Sequence, residues 1–224
     1  MSGARLLKKS PIAAVYRRLG ADCVEVAGWH IARHVVDLER ERRALREAAV
    51  LVDWSHIGKV LIRGKSAARD AAKIDSRALQ LAPLTSCRTA KTAILALTRD
   101  EMMVLSPPGS DAAIVQTLDG ATSSVLNQSG GTGCFALAGP RRDEVIERSC
   151  ATNLRRDRVP IGAAVQTTMH RVHCALLRTA DADILLPARE YAQSLYEALL
   201  DVGSSPGLLP AGIATLPPRF DLGG

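Results

Sequence analysis

One order of secondary-structure signals occurs twice in this 224-residue chain, and it limits the fold more than any other feature. In each copy a short apolar strand, 59–63 or 134–138, ends in a glycine and is followed by a helical segment. Two more strands and a second helix follow in both copies: 93–98, 102–106 and 110–118 in the first, and 175–179, 183–186 and 189–200 in the second. Repetition of one unit predicts one architecture built twice.

We therefore predict an α+β fold with two tandem β-α-β-β-α units, each laying its helices on one face of an antiparallel sheet. A charged run without Gly or Pro, 33–49, favours a helical N-terminal segment. The predicted organisation is a helical segment of the same domain, a first unit, a linker, a second unit and a C-terminal tail: 1–57, 58–118, 119–131, 132–203 and 204–224.

Composition excludes several classes of protein. Apolar residues make up 47% and charged residues 23%, which is typical of a globular chain and not of a disordered one. Aromatic residues make up only 3%, so few rings could stack on single-stranded nucleic acid, and the net charge of +6 comes with no recognition motif. No membrane span or nucleic-acid partner is expected.

Five cysteines occur, an odd number, and none forms a CxxC pair. This argues against a disulfide framework and against a structural zinc site, so we expect no metal and a reducing, cytoplasmic location.

Candidate site residues cluster just before the first strand of the first unit. Trp54, Ser55, His56 and Ile57 are predicted to contact a cofactor, with Asp53 setting the His56 tautomer. The alternative is a turn in which Asp and Ser satisfy backbone amides. No GxSxG elbow accompanies the cluster, which argues against a serine hydrolase.

Asp75 ends the first predicted helix and is the candidate catalytic residue. A carboxylate that faces a pocket acts as a base or stabilises a cationic intermediate. The alternative is a solvated carboxylate at the end of a helix.

The stretch from Gly20 to Gly64 resembles the aminomethyltransferase family, the T-protein of the glycine cleavage system. Gly28-Trp29, the charged helix, and the run Asp53-x-Ser55-His56-x-Gly58-Lys59 carry this resemblance. Looser matches follow at 137–140 and 207–212, and the segment 160–167 is similar to gamma subunits of heterotetrameric sarcosine oxidases.

The resemblance implies a folate-binding domain, with tetrahydrofolate in a central pocket beside an aspartate, and one-carbon transfer from an amine. The chain departs from the family's motifs at several places. Ser76-Arg77 stands where the family has Asn-Asp, and the following hairpin is shortened to 85–91. The family's pterin loop supplies a Tyr and a Glu, and neither occurs in 178–183. The final family motif is matched only loosely at 218–221, and the C-terminal barrel domain is expected to be missing.

Three functions are compatible with these features. The favoured one is a non-catalytic or co-catalytic subunit of a multi-subunit flavin-dependent N-demethylase or amine oxidase, with a flavoprotein partner or a homo-oligomer and a small amine or methyl donor as substrate. The second is a tetrahydrofolate-dependent aminomethyltransferase-like one-carbon transferase, so enzymatic activity stays open. The third is an orphan member of the fold with an unrelated ligand.

Overall fold

The computed structural model describes residues 6–89 and 91–218. The described helices are six α-helices and one 3-10 helix: α1 Ala13–Leu19, α2 Leu38–Glu47, α3 Ala67–Ala71, the 3-10 helix Ser76–Gln80, α4 Asp111–Thr117, α5 Arg142–Ser149 and α6 Arg189–Gly203. The described strands are β1 Lys8–Lys9, β2 Asp22–Val26, β3 Trp29–His34, β4 Ala49–Asp53, β5 Gly58–Arg63, β6 Thr85–Arg88, β7 Ala93–Ala96, β8 Glu101–Ser106, β9 Ser124–Asn127, β10 Phe135–Ala138, β11 Ala164–Met169, β12 Val172–Arg178, β13 Ala182–Pro187 and β14 Leu208–Ala211.

Two large sheets repeat the same strand order. One runs β6-β7-β8-β5 and ends with β9, and the other runs β11-β12-β13-β10 and ends with β4 and β14. The strand that precedes each unit pairs with the other unit's first strand: β4 pairs with β10, and β9 pairs with β5. This exchange ties the two units into one body, and the α+β class with duplicated units is confirmed.

The sheets pack face to face, with helices outside. Alternate residues of β4 point to opposite faces of their sheet. Leu51 joins the core beneath α1, α5 and α6, whereas Val50 and Val52 face the other sheet. On the five-stranded sheet, Val60 and Ile62 form a third core beneath α3 and α4. The order of layers is therefore helices, sheet, sheet, helices.

The N-terminal segment 1–57, predicted to be helical, holds α1 and α2 and also the strands β1 to β4. Among residues 6–57, α1 and α2 are the only helices, and residues 33 and 34 belong to β3, which lies between β1 and β2 in a small sheet. The charge pattern predicted α2 but placed its start too early. The helix begins after Asp37, which caps it by accepting hydrogen bonds from the amides of Glu39 and Arg40.

The segments predicted as a linker and a tail both hold sheet strands. β9 lies within 119–131, and β14 lies within 204–224 and pairs in parallel with β4. Buried Glu41 stabilises the position of β14, since its carboxylate accepts hydrogen bonds from the amides of Val35, Val36 and Gly212 and from the hydroxyl of Thr215. Such long-range pairing is not visible in local sequence patterns.

Candidate functional site

The cluster before β5 is organised around the carboxylate of Asp53, at the end of β4. Asp53 is 2% exposed and accepts from the Tyr16 hydroxyl at 2.7 Å, the Ser55 amide at 2.7 Å and the Ser10 hydroxyl. The Ser55 hydroxyl in turn accepts from the amide of Cys134 at 3.0 Å, at the entrance to β10. The polar groups of this motif therefore bind the protein's own backbone and N-terminal segment.

His56 and Lys59 add two buried nitrogen bases to the cluster. Burial lowers the pKa of His56 to about 4, an effect that Asp53 opposes, and Nδ1 of the ring has no hydrogen-bond partner. Lys59 is fully buried, and its ammonium donates to the carbonyls of Ser55 and Ile57, at 2.9 Å each. Burial lowers the pKa of Lys59 to about 8.

Trp54, one of the predicted contact residues, borders a cavity. Its indole Nε1 donates to the carbonyl of Leu216 at 2.8 Å, and the ring lines a cavity of about 430 Å³ together with Leu45, Arg142 and Asp181. Ser55, His56 and Ile57 are at most 2% exposed and do not line this cavity. Their role in ligand contact stays a prediction.

A buried ion network stands behind one wall of this cavity. Arg178 and Asp183, both fully buried, pair at 3.1 Å across the β12–β13 hairpin. Arg142, the first residue of α5, approaches Asp183 at 3.8 Å and donates to the carbonyl of Ala180 at 2.6 Å. Burial lowers the pKa of Arg142 and raises that of Asp183.

A second cavity lies between the two sheets and is lined by residues of both. It measures about 410 Å³ and is lined by residues that include Leu61, Met103, Gln166 and Leu186. The cavity beside Trp54 touches Ala182, at the start of β13, whereas this one touches Leu186, near the end of the same strand.

Apolar side chains from both sheets also pack against one another in the interface. Leu95 and Leu105 on one side and Leu177 on the other are fully buried in one cluster, and Ile57 lies in it as well. Small side chains such as Ala136 on the facing sheet allow the sheets to approach closely.

Asp75 lies away from both cavities. Its carboxylate caps the 3-10 helix by accepting from the amide of Arg77, and it pairs with that guanidinium at 2.7 Å. The hydrogen bond from Arg77 holds the pKa of Asp75 below its usual range. These contacts account for Asp75 structurally, and its catalytic role stays a prediction.

Comparison with known proteins places this fold in a family. The model of the GCVT N-terminal domain matches residues 12–220. The chain belongs to this family. Curated relatives include the aminomethyltransferases of Desulfitobacterium hafniense (strain DSM 10664 / DCB-2), 26% identical, and of Symbiobacterium thermophilum, 28% identical; each match covers 92% of this chain and 61% of the relative. This GCVT N-terminal domain chain thus spans about three fifths of those relatives' length.

Two solved structures share the GCVT N-terminal domain fold. The glycine cleavage system aminomethyltransferase T of Bartonella henselae has a TM-score of 0.77 at 19% identity, over 93% of this chain and 60% of that one. A chain of the heterotetrameric sarcosine oxidase of Corynebacterium sp. U-96 has a TM-score of 0.66 at 19% identity, over 88% of this chain and 94% of that one.

Within residues 6–89 and 91–218, no group of three or more His, Cys, Asp and Glu side chains is arranged to hold a metal ion. No helix in those ranges is both long and apolar enough to cross a membrane.

Sequence analysis missed the buried charges. Lys59, Arg142, Arg178 and Asp183 lie within apolar strands or at a helix start, where charged residues usually face solvent. The available signal was a charged residue within an apolar strand-forming run, Lys59 in 59–63 and Arg178 in 175–179.

Proposed function

We propose that this GCVT N-terminal domain protein is a non-catalytic subunit of a multi-subunit, flavin-dependent N-demethylase or amine oxidase. In this role the fold supplies a rigid scaffold beside a flavoprotein partner, and the partner performs the oxidation. The substrate of the assembly is a small amine.

The packing between the two sheets carries the proposal. Family resemblance implies tetrahydrofolate in a central pocket, yet Leu95, Leu105 and Leu177 meet there with no exposed surface. A pterin would have to displace several buried side chains, and losing one buried leucine's packing alone costs about 2–5 kcal/mol. We infer that the residues of this interface do not fit a folate, and no step of chemistry is assigned to one.

The positions that would recognise a pterin also argue against a folate site. The hairpin at 178–183 is closed tightly, because Thr179 bonds twice to Ala182 across the turn. Arg178 and Asp183 at its base bind one another inside the protein. Asp75, the nearest candidate for the family's aspartate, is engaged by Arg77.

Similarity to the sarcosine oxidase chain supports an assembly. That protein is a heterotetramer, and this chain's fold covers 94% of the matched chain. At 19% identity the likeness establishes the fold, and the partnership remains our proposal.

The alternative function is a tetrahydrofolate-dependent aminomethyltransferase. It is favoured by the family match over residues 12–220 and by curated aminomethyltransferases that cover 92% of the chain. In that case the cofactor would enter from the cavity beside Trp54.

Purification of the tagged protein from cells that naturally produce it tests the proposed assembly. The expected result is a complex of fixed stoichiometry that carries the visible absorption of oxidised flavin, bleached by a small secondary or tertiary amine. Recovery of the chain alone, with tetrahydrofolate-dependent release of ammonia from an aminomethyl donor as the one-carbon unit is transferred to the folate, would contradict the proposal and support the alternative.

A further inference from the structure

The outer edge of β9 is open and uncharged. β9 is the last strand of the five-stranded sheet and pairs with β5 on its inner side. Ser124, Leu126 and Asn127 are exposed, Leu126 by 42%. The surrounding residues 120–140 contain no Asp, Glu, Lys, Arg or His. An open strand edge of this kind is a template on which another strand can pair.

The other described sheet edges carry features that prevent such pairing. Proline, charged side chains and contact with a neighbouring segment are the usual protections of an edge strand. These edges hold, in order, two lysines in β1, Asp22 and Glu25 in β2, a bridge from β6 to the start of β11 through Thr85 and Ala163, and Pro210 in β14. Among the strands of residues 6–89 and 91–218, the edge of β9 is therefore the one available to a partner strand.

Main-chain groups of β9 alternate between β5 and the open side. The amide of Gln128 donates to the carbonyl of Lys59 at 2.8 Å, so residues 124 and 126, of the same phase, direct their main-chain groups towards β5. Ser123 has the opposite phase, and its amide donates to the carboxylate of Asp70 in α3 at 2.9 Å, outside the ladder. The other residues of that phase point to the open side.

The outward-pointing residues within β9 are Val125 and Asn127. Beyond the ladder with β5, no hydrogen bond among residues 6–89 and 91–218 uses the main-chain N–H or C=O of either residue. The two residues flank Leu126, so the free groups are arranged symmetrically about its exposed side chain.

This arrangement is self-complementary. When two copies of β9 run antiparallel with a two-fold axis beside Leu126, each Val125 lies opposite the other copy's Asn127, and their four outward N–H groups donate to four outward carbonyls. The two Leu126 residues then form a non-hydrogen-bonded pair, with Cα atoms about 4.5 Å apart, and cover one another. The uncharged segment brings no local repulsion between two chains that each carry a net charge of +6.

We propose that β9 pairs with β9 of a second copy of this chain, which joins two five-stranded sheets into one continuous sheet. The pairing is independent of the flavoprotein partnership proposed above, because it requires this chain alone.

Sedimentation velocity of the purified full-length chain at about 1–100 µM tests the pairing. Leu126→Lys sets two ammonium groups against one another at the two-fold axis. Leu79→Lys is the matched control, since Leu79 is a 60% exposed leucine of the 3-10 helix, away from β9. We expect the same concentration-dependent monomer–dimer equilibrium for the unmodified chain and Leu79→Lys, and a Kd raised about tenfold or more by Leu126→Lys.

A second pair of variants tests the register and does not depend on the folding of the lysine variants. Leu126→Cys brings two thiols within reach of a disulfide across the two-fold axis. Ser124→Cys lies on the same face, but its two copies are separated by four positions along the strands, or roughly 13 Å. With glutathione disulfide as oxidant, which is reduced to two glutathione thiols as the link forms, we expect a covalent dimer for Leu126→Cys. Neither Ser124→Cys nor the unmodified chain should form it.

Three results would overturn the proposal: a monomeric chain at about 100 µM, equal Kd values for the two lysine variants, or equal cross-linking of the two cysteine variants. A monomeric chain whose Leu126→Lys variant also loses its flavoprotein on purification from native cells would assign the edge to that partner instead. Circular dichroism melts identify the variants that are folded, and the comparison is made among those.

Discussion

Replacing each tyrosine by phenylalanine measures what the buried cluster around Asp53 contributes to stability. The chain has three tyrosines, and the same oxygen is removed from three environments. Tyr16 donates to the buried Asp53 carboxylate at 2.7 Å, Tyr196 donates to the Leu51 carbonyl at 3.3 Å, and Tyr191 is 55% exposed. Burial is the main cause that raises the pKa of Tyr16, and Asp53 adds to it, so the hydroxyl stays a donor.

A hydrogen bond to a charged group contributes about 1.5–3 kcal/mol, and one between neutral groups contributes about 0.5–1.5 kcal/mol. We therefore expect Tyr16→Phe to lower the free energy of unfolding by about 2 kcal/mol, Tyr196→Phe by about 1 kcal/mol, and Tyr191→Phe by less than about 0.5 kcal/mol. Urea denaturation followed by circular dichroism measures all three. If Tyr16→Phe costs no more than Tyr191→Phe, the Asp53 cluster does not stabilise the fold and the structural interpretation of this motif is refuted.

Three further predictions follow from the same geometry. Folding lowers the pKa of His56 from 6.5 to about 4, so as the pH falls the unfolded chain binds the proton first. The free energy of unfolding is therefore retained above pH 6.5 and falls by up to about 3 kcal/mol towards pH 4. His56→Gln should flatten this pH dependence in denaturation curves collected across that window, and an unchanged slope would contradict the prediction. Gly139 has φ +107°, and a Cβ there would lie 2.6 Å from the Ala48 carbonyl oxygen, so Gly139→Ala should lower the free energy of unfolding by about 2 kcal/mol or more. Gly130→Ala is the control, because its Cβ would have no atom within 4 Å. Similar melting temperatures for the two variants would be inconsistent with this packing. Asp75→Ala removes the cap of the 3-10 helix and the ion pair with Arg77, so we expect the free energy of unfolding, measured by denaturation, to fall by about 1 kcal/mol. A loss of activity in the assembled enzyme without a loss of stability would instead support a catalytic role.

Local pattern was enough to predict the duplicated units. Strands such as β5 and β10 are short apolar runs that end at a glycine of positive φ, Gly64 or Gly139, and the helices follow directly. Local signals of this kind depend on neighbours in the chain, which the sequence displays.

The exchange of strands between units could not be predicted in this way. β4 and β9 are short segments whose partners, β10 and β5, lie in the other unit, so their pairing depends on contacts across tens of residues. The same holds for Glu41, which joins α2 to the end of the chain.

The candidate site was predicted in position more than in role. The motif at 53–57 does form a polar cluster, but Asp53, Ser55 and Lys59 bind protein groups inside it, whereas Trp54 lines a cavity. Arg142, which lines that cavity, begins a helix, and no sequence motif marked it.

A thermal titration with tetrahydrofolate tests the central claim, that the space between the sheets is closed to a folate, most directly. A ligand present at 100 times its Kd would stabilise the protein by about 2.7 kcal/mol, which for a chain of this size raises the melting temperature by about 5–11 °C. Our account predicts no saturable shift at concentrations of tetrahydrofolate that saturate an intact aminomethyltransferase measured alongside. A saturable rise of that size, abolished by Asp75→Ala but not by Asp100→Ala, would contradict it.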